Sequence, residues 1–127
     1  MPSADQHRNK AERNRNFLNS ISLTDYPEWV TVAAFYTAVH LVERLRAAAG
    51  DGDSTSHEDR LNYVQHFMPS EFHSAYHILQ NVSMLARYQS TADFFAQFQP
   101  QEVAEEIVAK RLALIEQYTT DSDAHGK

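Results

Sequence analysis

Residues 29–42 read Trp-Val-Thr-Val-Ala-Ala-Phe-Tyr-Thr-Ala-Val-His-Leu-Val, and this stretch decides the fold class. It is apolar on nearly all sides when wound as a helix, which is typical of a central helix that touches several neighbours. Pro27 suits the first turn of such a helix, and Glu28 favours the positive end of its dipole. Gly50 supplies a stop at the other end. The sequence therefore predicts a long buried helix at the centre of a bundle.

Further helices are predicted on both sides of this central one. Ser3 is a candidate cap for a first helix that runs to about Ser20, packs through its C-terminal half and frays at its start. The helices after the central one are predicted to begin near His57, Ser70 and Pro100. Because the connections are short, consecutive helices should pack antiparallel. The predicted fold is an all-α, antiparallel up-and-down bundle of four to five helices.

Length and composition fit a single domain. The chain has 127 residues, of which 43% are hydrophobic, and its low content of glycine and proline argues against a strand-and-turn architecture. We predict one domain over 1–118, followed by a disordered polar tail over 119–127. The absence of cysteine excludes disulfides and thiolate chemistry. With a polar start and no long apolar run, we expect a cytoplasmic protein without a membrane span.

Charge limits the partners. The net charge of −6 disfavours broad binding to phosphate backbones. The first twenty residues are nevertheless net positive, and their basic residues are Arg8, Lys10, Arg13 and Arg15. This basic segment is interpreted as a solvated helix face, with binding of a nucleic acid through the first helix as the alternative.

The pair Arg60 and His66 is the candidate catalytic site. Arg60 can stabilise charge that develops on a phosphodiester, and His66 can move a proton near neutral pH. Together they could cleave RNA without a metal, with the 2′-hydroxyl as the nucleophile. Six residues turn a helix through about 600°, which leaves the two side chains about 120° apart. Convergence would then require a distorted helix or a second copy of the chain.

Several histidines and one glutamate could instead bind a metal. His73 and His77 are four residues apart on one helical face, and His40 and Glu43 are three apart on the central helix. If the two faces met, these four side chains could form a site; otherwise the histidines are surface or hydrogen-bonded residues. Phosphate-binding and dinucleotide-binding loops are absent from the sequence, and no cofactor is predicted.

A wider pattern resembles the HEPN superfamily of small helical bundles. The residues that carry the resemblance are Trp29, Ala34-Phe35-Tyr36, His40 and Glu43, then Ser56-His57 and Arg60, then Tyr76, Leu79, Ser83 and Ala86-Arg87-Tyr88. The resemblance covers about residues 25–90. It implies a homodimeric bundle, because many members of this superfamily are dimers.

The resemblance also implies functions. Many HEPN proteins are metal-independent ribonucleases of toxin–antitoxin and defence systems, whereas others bind RNA without cleaving it or partner a minimal nucleotidyltransferase. Active members carry an Arg followed by a polar residue, and a His after four to six intervening residues. Arg60 and His66 have this spacing, with Leu61 after the Arg, whereas Arg87 has no following His at that distance.

Three functions therefore remain open. The first is an RNA-directed domain with Arg60 and His66 as catalytic residues and an RNA-binding or polar site. The residues of that polar site are Glu43, His57, Arg87 and Tyr88. The second is a non-catalytic dimeric interaction module. The third is a metal-binding bundle.

Overall fold

The structure is a computed structural model that describes residues 2–125, and the side chains of residues 2–122. Within them it contains helices and no strand, so the predicted all-α bundle is confirmed. The helices are α1 (Ala4–Ser20), α2 (Pro27–Ala48), α3 (His57–Phe67), α4 (Ser70–Tyr88), α5 (Thr91–Gln97) and α6, which joins Pro100–Glu102, Val103–Leu112 and Ala113–His125. None of these described helices has both the length and the apolar character that crossing a membrane requires.

Serine caps start α1 and α3, as the sequence predicted. The Ser3 hydroxyl accepts a hydrogen bond from the Gln6 amide at 3.1 Å, and the Gln6 side chain accepts one from the Ser3 amide at 2.7 Å. The Ser56 hydroxyl accepts from the Asp59 amide at 3.0 Å. The Asp59 carboxylate accepts from the Thr55 amide rather than from Ser56, so this second cap is not reciprocal. Each cap satisfies an amide that the first helical turn leaves without a partner.

Helix α2 lies at the centre and packs on α1, α4 and α6, as its apolar sequence predicts. A single hydrophobic cluster joins these helices. The largest fully buried side chains in it are Tyr76, Phe35, Phe72, Phe94, Leu79, Leu112 and Ile115. Each large apolar side chain contributes about 1.5–3 kcal/mol on burial, so this cluster is the main source of stability.

Helix α1 packs on α2 through more of its length than we predicted. His7 and Ala11 are only 6% and 3% exposed, although they lie in the half of the helix that we expected to fray. They are four residues apart, which places them on one helical face with Leu18 farther along. Hydrogen bonds of the His7 ring, described below, explain how a polar residue can occupy that face.

The last helix differs from a regular α-helix over Val103–Leu112, which is π-helical. Ile107 and Leu112, both buried, are five residues apart. Five residues turn an α-helix through about 500°, which would separate these side chains by about 140°. In a π-helix, whose hydrogen bonds join residues five apart, they share a face. The wider turn therefore brings both side chains onto the core.

The C-terminal segment also differs from its prediction. We predicted a disordered tail over 119–127, but α6 continues to His125, and residues 126–127 lie outside the described part. Thr119 is 1% exposed, and its hydroxyl donates to the Ile115 carbonyl at 2.9 Å. This hydrogen bond lets a polar side chain be buried within the helix.

Candidate functional site

Arg60 joins α3 to α2 at the polar end of the bundle. Its Nε donates to Glu43 Oε1 at 2.7 Å, and its Nη1 contacts His57 Nδ1 at 2.8 Å. A guanidinium can only donate, so His57 Nδ1 must be unprotonated and accept this hydrogen bond. The proton of the neutral ring is then on Nε2. Arg60 is 9% exposed, so its guanidinium faces Glu43 and His57 instead of solvent.

Glu43 is the buried anion of this network. It is 3% exposed, and its second oxygen accepts a hydrogen bond from the Ser54 amide at 3.1 Å. Burial alone would raise the pKa of Glu43, but hydrogen bonds from Ser54 and Arg60 hold it below the usual value. Glu43 is therefore a carboxylate at neutral pH. It fixes the position of both α3 and the loop that precedes it.

His57 remains neutral under the same conditions. Partial burial lowers the pKa of His57 below its usual value, and the positive charges of Arg60 and Arg87 lower it further. Its ring centroid lies 5.5 Å from that of Phe35, which belongs to the core. The residue is nevertheless exposed overall. His57 therefore presents a neutral imidazole of fixed tautomer at the surface.

Arg87 and Tyr88 lie at the C-terminal end of α4, and the Arg87 guanidinium is close enough to His57 to lower its pKa. The Arg87 guanidinium contacts the Tyr36 hydroxyl and the Ser83 carbonyl, both at 3.4 Å. It also lies 5.5 Å from the centroid of the Tyr88 ring, which is within the range of a cation–π contact. Tyr88 is 79% exposed. This part of the site therefore combines a weakly held cation with an accessible aromatic ring.

The loop between α2 and α3 is held down by side chains. Gly50 and Gly52 have φ of 78° and 75°, a conformation that glycine adopts without strain. Arg46 donates to the Ser54 hydroxyl at 3.0 Å and forms an ion pair with Asp59 at 3.3 Å. Its guanidinium also lies 4.7 Å from the Tyr63 ring centroid. The loop is therefore tied to both flanking helices.

A second polar cluster, which the sequence analysis missed, surrounds His7. Its Nδ1 lies 3.1 Å from Nδ1 of His40, and its Nε2 lies 3.1 Å from Oδ1 of Asp53. Burial lowers the pKa of His40 to about 4, and the neighbouring basic groups His7, Lys10 and Arg60 add to the decrease. One feature of the sequence could have indicated that His7 is buried. His7 and Ala11 are four residues apart and therefore lie on the same face of α1.

The predicted metal quartet is not assembled. His40 and Glu43 lie at the polar end, but His73 and His77 stack on each other on α4 with centroids 5.8 Å apart. In the described part of the chain, three ligand atoms within 4.8 Å of one another occur only for His7, Glu43 and Asp53. Two of the four predicted ligands, His40 and Glu43, therefore belong to polar clusters, where they contact His7 and Arg60 instead of His73 and His77.

The predicted catalytic pair does not converge within one chain. His66 is exposed, and its Nδ1 lies 2.8 Å from the Asn62 carbonyl oxygen. Arg60 instead bonds to Glu43 and His57. Helix α3 is regular over both positions, so the separation of about 120° that α-helical geometry imposes is retained.

Comparison of the chain with protein-family models, with curated proteins and with solved structures gives no match. The resemblance to the HEPN superfamily therefore stays a prediction that depends on the residues quoted above.

Proposed function

We propose that this protein is a HEPN-like bundle that binds RNA without cleaving it, through His57, Arg87 and Tyr88. The observation that carries the proposal is the exposed Tyr88 ring beside Arg87, whose charge acts on a neutral His57 with a tautomer that Arg60 fixes. Proteins that bind single-stranded RNA stack its bases on aromatic rings and attract its phosphate backbone with positively charged groups.

Each contact residue has a distinct role. The Arg87 guanidinium binds a phosphate group, because its planar fork matches two phosphate oxygens. The Tyr88 ring stacks on a base, an interaction that contributes about 1–3 kcal/mol. The Nε2–H of His57 donates to a further oxygen of the RNA. Since the protein carries a net charge of −6, binding is confined to this local site.

Arg60 and Glu43 are positioning residues in this proposal. Their buried ion pair at 2.7 Å leaves the Arg60 guanidinium between Glu43 and His57, away from a phosphate in solvent. Arg60 therefore acts on RNA only through His57. The same geometry argues against cleavage by Arg60 and His66 of one chain.

The test is fluorescence anisotropy with a labelled single-stranded RNA of mixed sequence, in EDTA. We expect Arg87→Gln and Tyr88→Ala each to weaken binding about tenfold, since one such contact contributes about 1–3 kcal/mol. Lys110→Gln removes one charge at an exposed ion pair with Glu106 on α6, and is the matched control. Equal weakening in the control, or no binding by the unmodified protein, would contradict the proposal.

The same reactions, run on a denaturing gel, test for cleavage. We expect intact RNA after prolonged incubation, because Arg60 and His66 do not converge. Fragments that disappear in His66→Ala would instead establish the metal-independent ribonuclease.

A second candidate function is self-association. Phe17, Tyr26 and Trp29 are each more than half exposed and line one shallow apolar groove. Exposed aromatic residues are enriched at protein interfaces. We propose a second copy of the chain as the occupant, with Trp29→Ser expected to lower the mass measured by light scattering. Tyr88→Ser is the matched control, and a monomeric unmodified protein would contradict this candidate.

A further inference from the structure

The cluster around His7 brings together side chains from three separate segments. His7 comes from α1, Glu43 from α2, and Asp53 from the loop after α2. One ligand atom from each lies within 4.8 Å of the other two. His7 and Glu43 are buried, and 29% of the Asp53 side chain is exposed. Charged groups that proteins bury are either paired or bound to metal ions.

We propose that His7, Glu43 and Asp53 bind a divalent transition-metal ion of the zinc class, with one nitrogen and two oxygen ligands. Nε2 of His7 is the nitrogen ligand, because it is the ring atom that faces Asp53, at 3.1 Å from Oδ1. Atoms bound to a common zinc at about 2.1 Å lie about 3.4 Å apart in a tetrahedron. The ligand atoms, which lie within 4.8 Å of one another, therefore need to close by about 1.4 Å at most.

Neighbouring residues hold the proposed ligands in place. Nδ1 of His7 lies 3.1 Å from Nδ1 of His40, so the nitrogen that does not bind the ion has a hydrogen-bond partner. Arg60 and the Ser54 amide each bond to one oxygen of Glu43. Such outer hydrogen bonds orient metal ligands and typically change metal affinity about 10–100-fold. His40 is thus a positioning residue here.

The carboxylates of Glu43 and Asp53 contribute two negative charges next to the proposed ion. Arg60 already offsets one of them, so a bound divalent ion leaves one net positive charge in the cluster. Three protein ligands leave a fourth position for water or another small ligand. The combination of imidazole and carboxylate favours zinc and similar ions over calcium, which takes six to eight oxygen ligands.

The site does not depend on the proposed RNA binding, since none of the three ligands is one of the RNA contacts His57, Arg87 and Tyr88. RNA affinity can therefore persist when metal binding is lost, and the two proposals can fail separately. The alternative for the cluster is a hydrogen-bonded network that only ties α1 and the loop to α2. That alternative predicts no metal dependence.

The experiment is calorimetric titration of the full-length, EDTA-stripped protein with zinc sulfate, together with thermal unfolding. We expect about one zinc ion per chain and a higher Tm with zinc, because an ion that binds the folded state stabilises it. Asp53→Asn should weaken binding more than about 100-fold and remove the rise in Tm. His40→Gln should weaken it about 10–100-fold, as expected for an outer-shell partner.

The double variant His73→Gln/His77→Gln is the matched control, because it removes two stacked histidines on α4 and should leave zinc binding unchanged. His7→Gln tests the nitrogen ligand, and circular dichroism in EDTA checks that it folds. If it does not, Asp53→Asn decides the question, since Asp53 lies in a loop and is only partly buried. Unchanged affinity in Asp53→Asn, loss of affinity in the double variant, or no zinc binding by the unmodified protein would overturn the proposal.

Discussion

Arg60 connects two polar residues of the bundle end, Glu43 and His57, through one buried guanidinium. Its partner Glu43 is 3% exposed, so neither charge has full access to water. A buried ion pair often contributes little in comparison with two apolar residues, but removal of one partner leaves an uncompensated charge. The stability of this end therefore depends on the pair being complete.

We predict that Arg60→Leu lowers the free energy of unfolding by about 3–5 kcal/mol, because Glu43 is left buried without its partner. The double variant Glu43→Leu/Arg60→Leu should lose less than the single variant. Urea denaturation in EDTA measures both. A loss below about 1 kcal/mol for the single variant would show that water or another group compensates Glu43.

Tyr76 gives a prediction for alkaline pH. Burial raises the pKa of Tyr76 to about 12, and the positive charge of Arg60 opposes the rise. A tyrosine in the unfolded chain ionises near 10. Above pH 10 the unfolded state therefore loses this proton first, and the contribution of Tyr76 to stability falls between pH 10 and 12 by about 2–3 kcal/mol. Below pH 10 that contribution is fully present.

Tyr76→Phe should reduce this alkaline loss, which urea denaturation between pH 8 and 11 measures. The comparison uses the change of stability with pH, because removal of the hydroxyl near Arg60 also acts on stability at neutral pH. Tyr88→Phe is the matched control, because Tyr88 is 79% exposed. The interpretation fails when both variants follow the same pH profile as the unmodified protein.

At the scale of the elements, the start of α3 determines where the functional side chains lie. Ser56 caps this helix, and its carbonyl accepts the Arg60 amide at 3.1 Å in the first turn. His57 and Arg60 are one turn apart, which lets their side chains meet. The cap therefore contributes to both the helix and the polar site.

We predict that Ser56→Ala lowers the free energy of unfolding by about 1 kcal/mol, the usual cost of a lost serine cap. Ser74→Ala, in the exposed interior of α4, should leave stability unchanged or raise it slightly, because alanine favours helix. Thermal unfolding of both variants distinguishes these outcomes. Equal Tm values would mean that other contacts hold the start of α3.

The helix boundaries were the part of the structure that local sequence signals predicted best. The sequence predicted that a helix begins near His57, and His57 is the observed first residue of α3. The π-helical segment Val103–Leu112 and the helical continuation to His125 were not predicted. Both depend on how α6 meets the core, and helical periodicity alone contains no information about that contact.

For the whole molecule, Phe35 links the core to the proposed RNA site. It is fully buried, and its ring centroid lies between 5.4 and 5.8 Å from those of Tyr36, His57 and Tyr76. Tyr36 in turn accepts a hydrogen bond from Arg87. Packing in the core and the position of the surface groups are therefore coupled.

We predict that Phe35→Leu lowers stability by about 1–2 kcal/mol and also weakens RNA binding, because the His57 and Tyr36 rings lose a contact. Phe94→Leu is the matched control, since Phe94 is equally buried but pairs with Phe98. The Phe94→Leu variant should lose about as much stability as Phe35→Leu, and its affinity for RNA should be unchanged. Anisotropy and urea denaturation measure the two effects separately, and parallel loss of affinity in both variants would contradict the coupling.

The sequence by itself determined where most of the helices begin, because caps, glycine stops and apolar periodicity act within a few residues. It also marked His40, Glu43, His57 and Arg60 as chemically important. Only the tertiary structure decided which of them meet: Arg60 pairs with Glu43 and His57 instead of His66, and His40 contacts His7 instead of the histidines on α4. These partners are set by how α1, the loop and α3 pack around α2, and side chains distant in sequence can meet only when that packing forms.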